Sequence, residues 1–222
     1  VQRIILNFMK KLAYFFIFLI FMIFVTLLAV GDYVYREGTK LACSESITAK
    51  NNTPKEFYPN EKGKGPFRGD GWNKWVDADL SSWWITDTGY EKVKFKDIDG
   101  SIEYSAWWIA PTIKTNKDAI IIVHGYGASK HEFTVLMPAA MLVRNGHNVL
   151  VIDSRDSGES TCEDGRHSAG QQEVYDILSA KKWLEETYDI DPKKIGVHGV
   201  SGGAIAALYA LVKNQDIAAV SL

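Results

Sequence analysis

Hydrophobic positions fall along this chain in three patterns, and each predicts a different structure. The first is a block. Residues 12–30 run nineteen positions without a charge, about 28 Å of helix at 1.5 Å per residue, enough to cross a bilayer core. Arg3, Lys10 and Lys11 precede the block, and this bias puts the N-terminus in the cytoplasm and the rest of the chain outside. The expectation is a single-pass anchor, residues 1–31, in contact with lipid through 12–30, carrying an extracytoplasmic domain. The competing reading is a cleaved signal sequence with Ala29-Val30-Gly31 as its small-x-small site, although the apolar core of such a signal is normally only about 7–15 residues long.

The second pattern is its opposite. Residues 32–71 are polar, with Asn, Lys, Gly and Pro clusters, and read as a tether. Trp72, Trp75, Trp83 and Trp84 then crowd together. They read as a segment covering a hydrophobic sheet edge, the alternative being an aromatic flap near the membrane or a substrate mouth. The linker is therefore placed at 32–85.

The third pattern, over 86–222, alternates short apolar runs with helical spacings. Val93-Lys94-Phe95-Lys96, an Asp99-Gly100 turn and the run from Ile102 to Ile109 predict an antiparallel hairpin. Ala119 to Val123 is a continuous β-branched run, as in a parallel strand buried on both faces. Phe133, Leu136, Met137, Ala140 and Leu142 predict a helix over 131–145, closed by Gly146. A strand follows at 149–152. A helix is expected over 168–188, its stripe formed by Val174, Ile177, Leu178 and Leu184 with Lys181 as the polar exception. Asp191-Pro192 breaks the chain before a strand at 195–197, an alanine-rich helix covers 204–212, and a further strand begins near Ile217. Strands alternating with helices imply an α/β domain with a mostly parallel sheet and right-handed crossovers.

Gly199-Val200-Ser201-Gly202-Gly203 lies between a predicted strand and a predicted helix. This is the pattern of a nucleophile elbow, in which a serine is held at the tip of a sharp strand-to-helix turn and glycines remove side chains that would collide. Upstream, the strand ending at Val123 runs into His124-Gly125-Tyr126-Gly127, and the strand ending at Ile152 runs into Asp153-Ser154-Arg155-Asp156-Ser157-Gly158-Glu159-Ser160.

On these motifs the chain resembles the α/β-hydrolase family, and within it the membrane-anchored, prolyl-oligopeptidase-like and serine-aminopeptidase-like serine hydrolases. The resemblance covers 86–222 and implies the α/β-hydrolase fold: a leading antiparallel hairpin on a mostly parallel sheet, incomplete at its C-terminal end. It implies Ser201 as nucleophile, with the backbone N–H groups of Tyr126 and Gly202 as the oxyanion hole. His124, Gly125, Gly127, Gly199 and Gly203 would be supporting motif residues, His124 bracing the loop rather than carrying protons. Asp156 and Ser157 depart from the family's loop pattern, which usually has glycine and often histidine there, and leave that loop's path open. The chemistry implied is acyl-bond cleavage on a small-molecule acyl substrate or a peptide, a carboxylic ester first, with peptidase and thioesterase activity open. A non-catalytic binding protein of the same fold is the reading from another class.

In this family the chain order is Ser, then acid, then His. Asp216 is the only carboxylate side chain after Ser201, and all five histidines precede the serine. The expectation is a fragment whose acid and base lie beyond residue 222, inactive alone. His167, in the polar loop Cys162-Glu163-Asp164-Gly165-Arg166-His167, reads as an exposed residue, its use as an unusual base being the minor alternative. Composition narrows the partners. A net charge of −2 without a basic run beyond the first segment gives no nucleic-acid signature. Two cysteines, Cys43 and Cys162, make no metal site. They can pair in an oxidising compartment, which their spacing does not show. No cofactor is expected.

Overall fold

The computed structural model describes residues 2–41, 43, 51–59, 76–113 and 117–222. Trp72 and Trp75 lie outside the described residues. The chain divides into two units, 1–40 and 41–222. The first is one helix, α1 (Gln2–Thr39), longer at both ends than the apolar block that predicts it; Asp32 and Arg36, four residues apart, pair on its far end at 2.8 Å. The stretch 32–39, expected to begin the tether, thus continues the helix. Alpha-1 is long and apolar enough to be a membrane span or a signal sequence.

The second unit is built on a six-stranded sheet. Strands β1 (Glu91–Lys96) and β2 (Glu103–Ile109) form the predicted hairpin, followed by β3 (Ala119–Val123), β4 (Asn148–Ile152), β5 (Ile195–Gly199) and β6 (Val220–Ser221). Their spatial order is β1-β2-β4-β3-β5-β6. Antiparallel pairing joins β1 to β2 and β2 to β4; β4, β3, β5 and β6 run parallel. Register decides where the site lies. Val123 is opposite Ile152 on one side and Gly199 on the other, so three parallel strands end level and their following loops converge.

Helices cover both faces, as β-branched central strands require. Alpha-3 (Glu173–Tyr188) and α4 (Gly202–Lys213) pack Val174, Ile177, Leu184, Ala206 and Ala207 against Ile121, Val123, Leu150 and Ile152. On the other face α2 (Phe133–Arg144) packs Leu136, Ala139 and Val143 against Ile122, Val149 and Val151. Each such fully buried valine, leucine or isoleucine side chain contributes roughly 1.5–3 kcal/mol. The second core also takes Phe57, Leu80 and Ile85, with Trp83 and Trp84 packed against it. The Trp84 ring N–H donates to the Phe57 carbonyl at 2.8 Å. These two tryptophans cover a face of the sheet rather than its edge, and parts of the expected linker are core.

The helix expected over 168–188 starts five residues late. Ala169 and Gly170 have φ of 54° and 88°, outside the helical region. The Glu173 carboxylate holds this turn, accepting from the Ser168 hydroxyl at 2.6 Å, the Ser168 N–H at 2.9 Å and the Gly170 N–H at 2.8 Å. The expected last strand is also short. Ile217 is buried ahead of it, and only Val220 and Ser221 pair as strand.

Two buried charge networks fix the loops at the converging strand ends. Lys130 is fully buried, and its ammonium donates to Asp153 at 2.5 Å, Glu159 at 2.7 Å and the Ser105 hydroxyl at 3.1 Å. Its backbone N–H takes the other Asp153 oxygen at 2.6 Å. Arg155 donates from its side chain to Asp176 at 2.7 Å and to Glu163 at 2.9 Å, and Tyr104 donates to Asp176 at 2.8 Å. Such pairs stabilise modestly against an apolar replacement, but losing one partner strands a buried charge. Lys130→Ala is therefore expected to lower the unfolding free energy by about 3–5 kcal/mol, measured by urea denaturation in detergent. Lys130→Met combined with Asp153→Leu should lose less than the single change. A single-variant loss below about 1 kcal/mol would mean that the pair is solvated.

Candidate active site

The site forms where β5 turns into α4. Ser201 sits between them with φ 52° and ψ −112°, a conformation that costs a non-glycine residue on the order of 1–3 kcal/mol and persists only when its surroundings impose it. The surroundings here are backbone. A Cβ on Gly203 would lie 2.5 Å from the Val123 carbonyl oxygen and 2.6 Å from that of His124, and a Cβ on Gly199 2.5 Å from the Gly203 carbonyl oxygen. Glycine alone lets the first turn of α4 press against the end of β3. Ser201 is pushed out of the turn and is exposed.

Next to it lies a cluster of donors. The Gly202 N–H is the first of the helical N–H groups that an α-helix leaves without an internal partner, and no described residue accepts from it. The nitrogen of Tyr126 is 3.1 Å from the point a Cβ on Gly202 would occupy. Gly125 makes this approach possible, since a Cβ there would stand 3.1 Å from that of Ser201. The positive end of the α4 dipole points at the same place. An exposed hydroxyl beside backbone amides can, given an aligned base, attack a carbonyl and leave the new oxyanion next to hydrogen-bond donors.

The five histidines are placed as follows. His124 is buried between the loops; its Nδ1 pairs with the Gly125 carbonyl at 2.8 Å and its Nε2 accepts the Ser154 N–H at 3.1 Å. Both ring nitrogens are thereby used, and the bond to Nε2 joins the β3 and β4 loops. His131 pairs with the Asn52 carbonyl at 2.6 Å and packs edge-on to Trp107. His147 pairs with Asp118 at 2.8 Å, each just before its own strand and so at the opposite end of the sheet. His198 lies 3.2 Å from the Ser221 hydroxyl. His167 is not the exposed loop residue its neighbours suggest: its side chain is 16% exposed, and its ring meets that of Tyr126 edge-on at 5.3 Å. Among the described residues no histidine shares a hydrogen bond with Ser201. A cavity of about 10 Å³, room for one water, is lined by His124, Gly125, Ser154, His167, Glu173 and Gly202 among others.

One of the two departures in the 153–160 loop, Asp156, has a structural reason. Asp156 has φ 58°, the left-handed conformation a glycine would adopt freely. Its side chain compensates by accepting the N–H groups of Glu163, Asp164 and Gly165 at 2.5, 3.0 and 2.9 Å. The path left open by the sequence is thus a tight turn stapled by one carboxylate. Cys43 and Cys162 are joined as a disulfide with their Cα atoms 5.5 Å apart. This ties residue 43 to the loop bearing His167.

Burial pushes the pKa values of His124, His131 and His198 below the ordinary histidine value. The folded state therefore favours neutral rings that the unfolded chain protonates below about pH 6.5. Their contribution to stability is complete above that pH and is lost as pH falls toward the depressed folded values, at up to about 1.4 kcal/mol per pH unit for each ring. Stability followed from pH 6.5 to 5.5 should decline with falling pH, and His124→Asn should flatten the decline. An unchanged slope in that variant would show that His124 titrates alike in both states.

Residues 133–220 match the model of the prolyl oligopeptidase family. An esterase of Pyrococcus furiosus, Pf2001, superposes with a TM-score of 0.53 at 28% identity, over 64% of this chain and 52% of that one. The thiohydrolase aneE of Aspergillus aculeatus is 29% identical over 128 residues, 58% of this chain and 39% of that enzyme. The acylamino-acid-releasing enzyme 2 of rice (Oryza sativa subsp. japonica) is 26% identical over 53% of this chain and 16% of its own length. The aligned part of the chain thus spans about half the length of the solved relative and less of the other two.

Proposed function

We propose that this chain, whose fold is that of the α/β-hydrolases, is a serine hydrolase whose nucleophile is Ser201. The observation that carries this reading is the conformation of Ser201, strained, exposed and set beside the N–H groups of Gly202 and Tyr126. Ser201 attacks the acyl carbonyl, the two amides hold the oxyanion, and water releases the acyl group. Amides aimed at the developing charge are the kind of term that dominates acyl transfer. A serine hydroxyl also needs an aligned base. We assign the base and its orienting acid to chain outside residues 1–222, in keeping with relatives that are longer than the aligned part. His124, Gly125, Gly127, Gly199 and Gly203 shape the site and take no proton.

The substrate class proposed is a carboxylic ester, supported by the likeness to the Pyrococcus esterase. A peptide substrate is the second reading, favoured by the prolyl oligopeptidase match; the relation to a thiohydrolase keeps a thioester in the same chemistry. A fluorophosphonate probe should label the full protein covalently, and Ser201→Ala should abolish the label. Equal labelling of both would overturn the assignment, and no labelling of either would favour a binding protein. Ser201-dependent turnover of a p-nitrophenyl ester over an aminoacyl anilide would support the ester reading; the reverse preference would move the protein to the peptidases.

We further propose that α1 is retained as a membrane anchor and that the domain is extracytoplasmic. The uncharged run 12–30, the cations before it and a disulfide of a kind that persists in oxidising compartments support this topology. Carbonate extraction of membranes should leave the protein in the pellet. A soluble mature form beginning near Asp32 would identify α1 as a cleaved signal instead.

A further inference from the structure

The loop between β4 and α3 is held more firmly than its polar sequence suggests. The disulfide anchors it at Cys162, Asp156 takes three of its N–H groups, and the Gly165 carbonyl accepts from Leu41 at 2.7 Å. Glu173 closes the turn just beyond it. The side chain this scaffold brings nearest to Gly202 is that of His167.

The ring of His167 is oriented by its own backbone. Nδ1 accepts the Ala169 N–H at 3.0 Å, so its lone pair is occupied and the ring hydrogen of the neutral imidazole sits on Nε2. That assignment follows from the partner. Nε2 lies 3.1 Å from the point a Cβ on Gly202 would occupy, the same point that is 3.1 Å from the Tyr126 nitrogen. The nearest Glu173 oxygen is 3.9 Å from Nε2, beyond hydrogen-bond length. Among the described residues nothing accepts the Nε2–H, which borders the one-water cavity next to Gly202.

This tautomer excludes one role and fits another. A triad base donates its Nδ1–H to a carboxylate and offers the Nε2 lone pair to the serine. His167 has the opposite arrangement, with Nδ1 accepting and Nε2 donating. We propose that His167 is a third oxyanion donor, its Nε2–H joining the backbone N–H groups of Gly202 and Tyr126 on the oxygen that becomes negative during acyl transfer. The inference rests on the reading of Ser201 as nucleophile. In the step it serves, the Ser201 Oγ–carbon bond forms, the carbonyl π pair moves onto oxygen, and the serine proton goes to the separate base. His167 keeps its own proton throughout. A donor from a side chain also explains why position 202 is glycine, because a methyl there would stand against both nitrogens.

The test uses the full protein and four forms: wild type, Ser201→Ala, His167→Gln and His167→Phe. In His167→Phe the kcat on a p-nitrophenyl ester should fall about 10- to 100-fold, a little less than the loss of a dedicated oxyanion donor, with KM changed by less than about threefold. Fluorophosphonate labelling should slow yet go to completion, and the acidic limb of the pH profile of kcat/KM, which reports the base, should stay in place. His167→Gln, which can still donate an N–H, should recover part of the lost kcat. If His167→Phe and His167→Gln both abolish labelling as fully as Ser201→Ala, His167 is the base and the proposal fails. A raised KM with unchanged kcat, or a His167→Gln variant no better than His167→Phe, would reduce the residue to a wall of the pocket and also overturn it. Labelling that survives Ser201→Ala sinks the underlying serine reading instead, so the two failures are distinguishable.

Discussion

Much of this domain depends on one steric constraint: two stretches of backbone approach so closely that no side chain fits between them. The first turn of α4 presses its Gly203 against the carbonyls of Val123 and His124, and Gly199 faces Gly203 and Ala204 across the turn. This contact joins the end of β3 to the start of α4, and it leaves Ser201 only an unusual φ and ψ. The strain at Ser201 is sustained by the sheet, because Val123 also pairs with Gly199 and with Ile152. Loosening the contact would relax the serine and separate the Gly202 and Tyr126 amides together.

The loops around that contact are fixed by charge as well as by apolar packing. Lys130, Asp153 and Glu159 tie the loop after β3 to the loop after β4, and Arg155 ties the latter to Asp176 of α3. In a low-dielectric interior such groups must be paired, which makes each network nearly all-or-none. The gain is positional. A loop held by several directional bonds keeps its amides aimed, whereas apolar contacts alone tolerate sliding.

Much of the fold was legible because it follows from periodicity. The continuous run at 119–123 predicted a strand covered on both faces, and its residues divide between two cores. The Asp99-Gly100 turn predicted the hairpin, with Gly100 at φ 75°. The sequence is silent or misleading where side chains bond to nearby backbone. Glu173 delays its helix by organising the turn before it, and Asp156 takes a conformation usually left to glycine because its carboxylate meets three N–H groups. A 3.6-residue pattern carries no sign of either. His167 was misjudged because polar neighbours suggest solvent, whereas the disulfide and the Asp156 staple turn that loop inward. The placement of its Nε2 depends on contacts distant in sequence, with Gly202 and Tyr126, that no local pattern encodes.

On the proposed reading, the residues within 1–222 divide the catalytic work unevenly. Stabilising the oxyanion requires only fixed dipoles, and those sit on the β3 loop, the β4 loop and the start of α4, all locked by one backbone contact and two charge networks. Moving the proton requires a base whose lone pair faces the serine, and none of the five histidines is bonded to it: His124 is a brace, His131 pairs with a carbonyl, His147 lies at the far end of the sheet, His198 sits beside the Ser221 hydroxyl, and His167 holds the donor tautomer. Electrostatic stabilisation and binding alone retain roughly 10³- to 10⁴-fold of rate over water when a triad member is absent. Removing the base and removing the oxyanion donors should therefore act on separate terms. The base sets where activity begins to rise with pH. The donors scale the rate at every pH without moving that point.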